Sequence, residues 1–411
     1  MWTNRNKLIV IMLLGSNMLN YADRQIIALL KPMLQHQLHW TDVDYGQLTA
    51  LFQLASAVAF LGSGWVVDRI GWRRANPFSV GTWSVVAMTQ AFARTLSQFS
   101  VARIFLGSTE AFCTPTTIKT IAAVFRNEDR SLALGFMNAA GAPAAFVTPI
   151  VIPWLAIRIG WENSFLVTGG VGLIWVAVWY MCSLGKVPEE ARHQVPAKRH
   201  EVRWSEVLRD KRTWTVAGAK VLSDQIFWLF MFWTPDLFHT VFHLSMSEYG
   251  TPIGIISAVM AVGGLVGGWV PRHLMQRGVS LNAARKGSLL GAALLVTPVW
   301  MVLVVHNYWI ATALLCVMMA AHQAFSVNVF ALAADISPVS TVATVIGICA
   351  FCGNLAGAAL LQIAGWELGA GYGYAPLLAL ASVSYLLGVA WVQVMLPRLV
   401  AVAPEEGEEL A

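Results

Sequence analysis

Apolar runs of close to 20 residues, repeated along nearly the whole length, leave this 411-residue chain few ways to fold. About 20 residues of helix cross the ~30 Å hydrocarbon core of a bilayer, so each run specifies a membrane span. Twelve such runs are expected near 7–30, 45–67, 77–93, 99–125, 131–157, 163–184, 213–239, 248–271, 287–305, 308–334, 341–364 and 372–397. The chain is 57% hydrophobic and 12% charged, against about 25% charged in ordinary globular proteins, which excludes a soluble class. The expected fold class is an all-α membrane protein of twelve transmembrane helices in two six-helix bundles.

The basic residues occupy short loops, so the net charge of +5 is a topology signal and not a nucleic-acid footprint. With both termini cytoplasmic, inner segments hold 20 Lys/Arg and outer loops hold three, Lys31, Arg94 and Arg158. The other four of the 27, Arg24, Arg103, Lys119 and Lys220, fall inside spans. A multi-pass protein of the inner or plasma membrane follows. The start of the chain resembles a signal peptide only superficially, because no small-residue cleavage site follows and Asp23-Arg24 interrupts the run. Cys113, Cys182, Cys316, Cys349 and Cys352 all lie in or beside apolar runs, so neither a disulfide framework nor a metal site is expected.

The segment 185–212 carries Pro188, Pro196, eight Lys/Arg and five Asp/Glu, and is the expected cytoplasmic linker between bundles at 1–184 and 213–397. Within it, Trp204 to Arg212 is either an amphipathic helix or a solvated charge run. The tail 398–411, with Glu405, Glu406, Glu408 and Glu409, is expected to be disordered. Gly64-Trp65-Val66 recurs as Gly268-Trp269-Val270, a trace of half-to-half symmetry.

Charges within spans are costly and mark function. Asp23 lies about 24 Å along a helix that starts on the cytoplasmic side, and Arg103 in the descending fourth span lies at the same depth, which suggests an ion pair. Glu110, about two turns further on the same face, falls near the midplane. Arg24 points about 100° away from Asp23, toward a cavity face shared with Tyr21 and Asn20. A guanidinium binds carboxylates bidentately, which makes Arg24 the natural anchor for an anionic substrate. Desolvated Glu110 is a plausible proton carrier that pairs with Arg24 when the site is empty, and Asp23 is a second acid available for proton coupling.

Other polar residues at lipid depth have two readings each. Lys119 is expected to snorkel to the inner headgroups, and Lys220 with Asp224 to form an i,i+4 pair. Gln323, Ser326, Asn328 and Asn354 either glue helices together or bind substrate hydroxyls from the C-terminal half. His322 is expected to be a hydrogen-bonded core residue. The glycines and prolines of spans 5 and 11, among them Gly141, Pro149, Gly353 and Gly357, suit either helix bending or close packing.

After the second span the chain reads Gly64-Trp65-Val66-Val67-Asp68-Arg69-Ile70-Gly71-Trp72-Arg73-Arg74, which resembles the G-x-x-x-D-R-x-G-R-R signature of the major facilitator superfamily. Gly64, Asp68, Arg69, Gly71, Arg73 and Arg74 are the gating-motif positions, with Gly64 expected to admit a neighbouring helix and Asp68 to meet a helix N-terminus or a base. Asn20-Tyr21-Ala22-Asp23-Arg24-Gln25, Ala102 to Phe112, Phe136-Met137-Asn138, Pro149 to Trp154, Gly160-Trp161, Ala321-His322-Gln323 and Gly353 to Gly357 narrow the resemblance to its anion:cation symporter branch, the hexuronate and galactonate transporters. The resemblance implies proton-coupled symport of a sugar acid by a monomer, with no cofactor. Where such transporters often place a Tyr on the cavity face of the second span, this chain has Gln53-Leu54-Ala55-Ser56.

Three alternatives remain. Another carboxylate, or export of a drug or metabolite, fits the same fold, although a basic anchor disfavours cationic drugs. An anion channel would favour a ring of like charges over mixed pairs. An enzyme would need a nucleophile with a base, a metal cluster or a phosphate loop, none of which occurs at useful spacing.

Overall fold

The computed structural model of the protein describes the backbone of residues 4–125, 127–183, 204–338 and 341–399, with side chains in the same ranges except 4–5, 127–142, 182–183 and 204. Most of the 185–212 linker and the 398–411 tail, and the side chains of Phe136, Met137 and Asn138, therefore lie outside the described residues.

Among the described residues every regular element is a helix. The order is α1 (Asn4–Leu29), α2 (Lys31–Leu38), α3 (Asp42–Ile70), α4 (Trp72–Thr89), α5 (Leu96–Glu110), α6 (Cys113–Val124), α7 (Asn127–Ser183), α8 (Trp204–Arg209), α9 (Lys211–Val241), α10 (Gly250–Gln276), α11 (Leu281–Val296), α12 (Tyr308–Ile336), α13 (Val342–Gly369) and α14 (Ala375–Met395). These helices supply the twelve expected passes, with α7 holding two of them across Gly160, whose φ of 86° breaks the helix. Among the described residues seven stretches qualify as spans on length and apolarity alone, α10 with a mean hydropathy of 2.0.

Local chemistry sets the boundaries. Thr41 and Asp44 close a capping box that starts α3, and Thr95 and Gln98 do the same for α5. Gly71, at φ 73°, is the single residue between α3 and α4, a conformation in which a side chain would be strained. The expected fourth span is divided: α5 stops at Glu110 and α6 begins at Cys113. Pro115, near the start of α6, has no N–H to extend a ladder back toward α5. Within 204–212, α8 stops at Arg209, Asp210 is non-helical and α9 begins at Lys211; Val207 is buried.

The burial pattern is that of a protein solvated by lipid. Leu265 and Val394 are 77% and 72% exposed, while Asp23, Lys31, Arg103 and Glu110 are buried. The described residues fall into two compact units, one within Met1–Ala197 plus Met231–Gly254 and the other within Lys198–Phe230 plus Ile255–Ala411. The end of α9 and the start of α10 thus pack with the first half of the chain.

Candidate functional site

In the first unit the site is built from α1, α3 and α5. Arg103, Gly107 and Glu110 are spaced by four and three residues and form one stripe on α5. A Cβ at Gly107 would collide with the carbonyl oxygen of Phe52, so α5 can lie against α3 only because this position lacks a side chain. That contact brings Phe52 near two cations: the Arg103 guanidinium is 4.3 Å from the ring centroid and that of Arg24 is 6.0 Å away.

Arg24 Nε donates to Glu110 Oε2 at 2.8 Å, with Glu110 wholly buried and Arg24 partly open. This is the Arg24–Glu110 pairing expected from the sequence. Glu110 is the last residue of α5, where the helix dipole repels a carboxylate, so Arg24 supplies compensation that the helix does not. Gln25 Nε2 reaches back to Tyr21 Oη at 3.2 Å, and Asn17, two turns before Arg24, donates to Thr117 Oγ1 on α6 at 3.3 Å.

The Asp23–Arg103 ion pair does not form. All three guanidinium nitrogens of Arg103, and Oδ1 of Asp23, are buried without a hydrogen-bond partner. The Arg103 guanidinium lies instead over the Phe52 ring of α3, 4.3 Å from its centroid. Asn20 Nδ2 and Glu110 Oε1 are likewise buried without a hydrogen-bond partner. Phe52 is the member that sequence reasoning missed. An aromatic inside an apolar run carries no signal of its own, although the Gln53-Leu54-Ala55-Ser56 departure lay beside it.

The motif after α3 is placed differently from expectation in two respects. Gly64 has open space where its Cβ would be, so close approach of a helix is not its role. Lys119 does not snorkel: its Nζ reaches Asp68 Oδ1 at 2.8 Å and the Val67 carbonyl at 3.0 Å, joining α6 to the end of α3. Arg69 stacks on Trp65 at 4.5 Å and Arg73 on Trp72 at 5.5 Å. At the repeated triplet Trp269 stacks on His273, again four residues on.

In the second unit Lys220 pairs with Asp224 at 2.7 Å and donates to Ser326 Oγ at 3.0 Å. Gly353 and Gly357 admit the Asp224 and Trp228 side chains to α13, next to Asn354. His322 is a core residue, hydrogen-bonded through Nδ1 to Tyr385 Oη at 2.7 Å and stacked on Phe227. Gln323 lies over Gly264 of α10. Asn328 is buried, its Nδ2 donates to the Gly267 and Ala324 carbonyls, and its Oδ1 accepts from Arg285. It joins α12 to α10 and α11, the packing role that amides at this depth often take. No cluster of three or more His, Cys, Asp or Glu suited to a metal occurs among the described residues.

The sequence profile of the Major Facilitator Superfamily matches residues 13–361. The hexuronate transporter of Escherichia coli (strain K12) is 28% identical, across 97% of this chain and 96% of that protein. The D-galactonate transporter of Escherichia coli O6:H1 is 26% identical, across 93% and 94%. Among solved structures, a bacterial homologue of the human lysosomal transporter Spinster, in an inward-facing and occupied conformation, aligns with a TM-score of 0.74 and 16% identity over 96% of each chain, a likeness of fold.

Proposed function

The chain belongs to the Major Facilitator Superfamily and is a secondary transporter related to sugar-acid transporters, and from that premise we propose that it carries a hexuronate or an aldonate such as galactonate in symport with protons. The observation that carries this reading is the 2.8 Å contact between Arg24 and wholly buried Glu110. A proton on Glu110 removes the charge that holds Arg24, and the substrate carboxylate then takes its place on the guanidinium. One proton and one carboxylate together are neutral, which offsets the roughly 2.3 kcal/mol per 100 mV that a lone anion would meet on entering an inside-negative cell.

Asp23 and Arg103 supply a second titratable pair. An unpartnered buried guanidinium is costly, and the nearest remedy is to meet Asp23 in another state of the cycle. Tyr21, Gln323, Ser326 and Asn354 are proposed contacts for substrate hydroxyls, and the Gly64 to Arg74 motif a gate held at Asp68 by Lys119. In this reading bundles at 1–184 and 213–397 rock about the site, the linker 185–212 and tail 398–411 are cytoplasmic, and one copy in the inner membrane suffices.

A thermal-shift screen of the purified protein against sugar acids tests the anchor. Hexuronates or aldonates should raise the unfolding temperature of the wild type and leave Arg24→Ala unmoved. An equal rise in both would place the carboxylate elsewhere, and stabilisation by organic cations alone would favour the exporter reading.

A further inference from the structure

The turn from α1 into α2 holds a wholly buried lysine that the site above does not use. Lys31 was expected in an outer loop, but its Nζ lies 2.7 Å from Asp42 Oδ1 and 2.6 Å from Asp236 Oδ1. It also sits 4.3 Å from the Trp233 ring centroid and 5.0 Å from that of Tyr45. Around it, Tyr45 Oη donates to the Phe232 carbonyl at 2.7 Å and Tyr249 Oη to that of Leu29 at 2.5 Å. A Cβ at Gly250 or Gly254 would run into the carbonyl of Pro149 or Phe146, so backbone meets backbone there. Apart from those of Lys31 with Asp42 and Tyr45, these contacts join the first half of the chain to the stretch 231–254.

From this cluster we propose that Lys31, Asp42 and Asp236, with Tyr45 and Tyr249, form a latch that closes the transport path at the α1–α2 end and opens once in each cycle; the proposal rests on the transport reading above. The composition suits a contact that must part. Two carboxylates share one ammonium, and Asp42 lies on the same side as Lys31, with Gln35 Nε2 donating to it at 3.0 Å. When Asp236 departs, Lys31 keeps a partner, and the penalty for leaving a lone buried charge is avoided.

The latch is also linked to the site. Tyr45 and Phe52 are seven residues apart on α3, about two turns on one face. Phe232 gives its carbonyl to Tyr45 and its ring to Phe52, at a centroid distance of 6.2 Å. The same Phe52 ring carries Arg24 and Arg103 on its other contacts. A change of partner at Arg24 therefore reaches Phe232 through one side chain.

The test uses a carrier lacking its five native cysteines, with Thr49→Cys as reporter. Thr49 is buried one turn beyond Tyr45, and its hydroxyl bonds only to carbonyls of its own helix. A membrane-impermeant maleimide is applied to right-side-out and inside-out vesicles. Asp236→Asn and Lys31→Met should speed labelling at least tenfold, equivalent to about 1.4 kcal/mol, and only from the non-cytoplasmic side. The exchange Lys31→Asp with Asp236→Lys should restore the slow rate, and Tyr45→Phe, which removes one hydrogen bond and no charge, should give a smaller rise in the same direction. Unchanged labelling in Asp236→Asn and Tyr45→Phe, or equal acceleration from both sides, would overturn the latch. Failure of the parent carrier to accumulate substrate would instead remove the transport reading, independently of the labelling.

Discussion

A buried guanidinium lying on a phenylalanine ring with no acceptor within reach, as at Arg103, is a cost to the fold of the order of several kcal/mol. Arg103→Met should therefore raise the unfolding temperature of the purified protein by a few degrees while abolishing proton-driven uptake. A drop in unfolding temperature would make Arg103 a structural residue. At Arg24 the guanidinium fork matters as well as the charge, so Arg24→Lys should weaken sugar-acid binding about tenfold while keeping the ion pair to Glu110, as measured by titration of the purified carrier. Charges at lipid depth are conspicuous in a sequence because they are expensive, and Arg24, Asp23, Arg103 and Glu110 were legible on that ground. The partner of Arg103 was not. Helical rise gives depth, but only packing decides which way a side chain turns, and here a ring from α3 intervenes.

On α5 and α3 two glycines make opposite predictions. Gly107 faces the Phe52 carbonyl and Gly64 faces open space. Gly107→Ala should push α3 away, lowering stability by about 1–3 kcal/mol in reversible unfolding and cutting uptake, whereas Gly64→Ala should stay within about 0.5 kcal/mol. Equal effects would mean that α3 and α5 do not depend on this contact. The apolar runs gave the number and order of the passes because lipid fixes the length of a span. They could not reveal the break between Glu110 and Cys113, since Pro115 alone in a long apolar run is equally compatible with a kinked continuous helix. Lys119 was misjudged for a similar reason: its place near the end of a run allowed snorkelling, and only the fold shows Asp68 within 2.8 Å.

At the scale of the whole molecule the linker charges suggest a division into six and six spans, and the contacts of the stretch 231–254 with the first half could not be read from the sequence. The acceptors of Tyr45 and Tyr249 are 187 and 220 residues away along the chain, and no local pattern announces such pairs. Membership of the superfamily makes the chain a secondary transporter, and what is proposed for it specifically is a link between proton and anion through the Arg24–Glu110 pair. The most direct test is uptake of a radiolabelled hexuronate or galactonate into proteoliposomes under an imposed pH gradient, comparing wild type with Glu110→Gln. The account predicts accumulation by the wild type, and in the variant loss of accumulation with substrate exchange retained. Accumulation by Glu110→Gln equal to that of the wild type would contradict it.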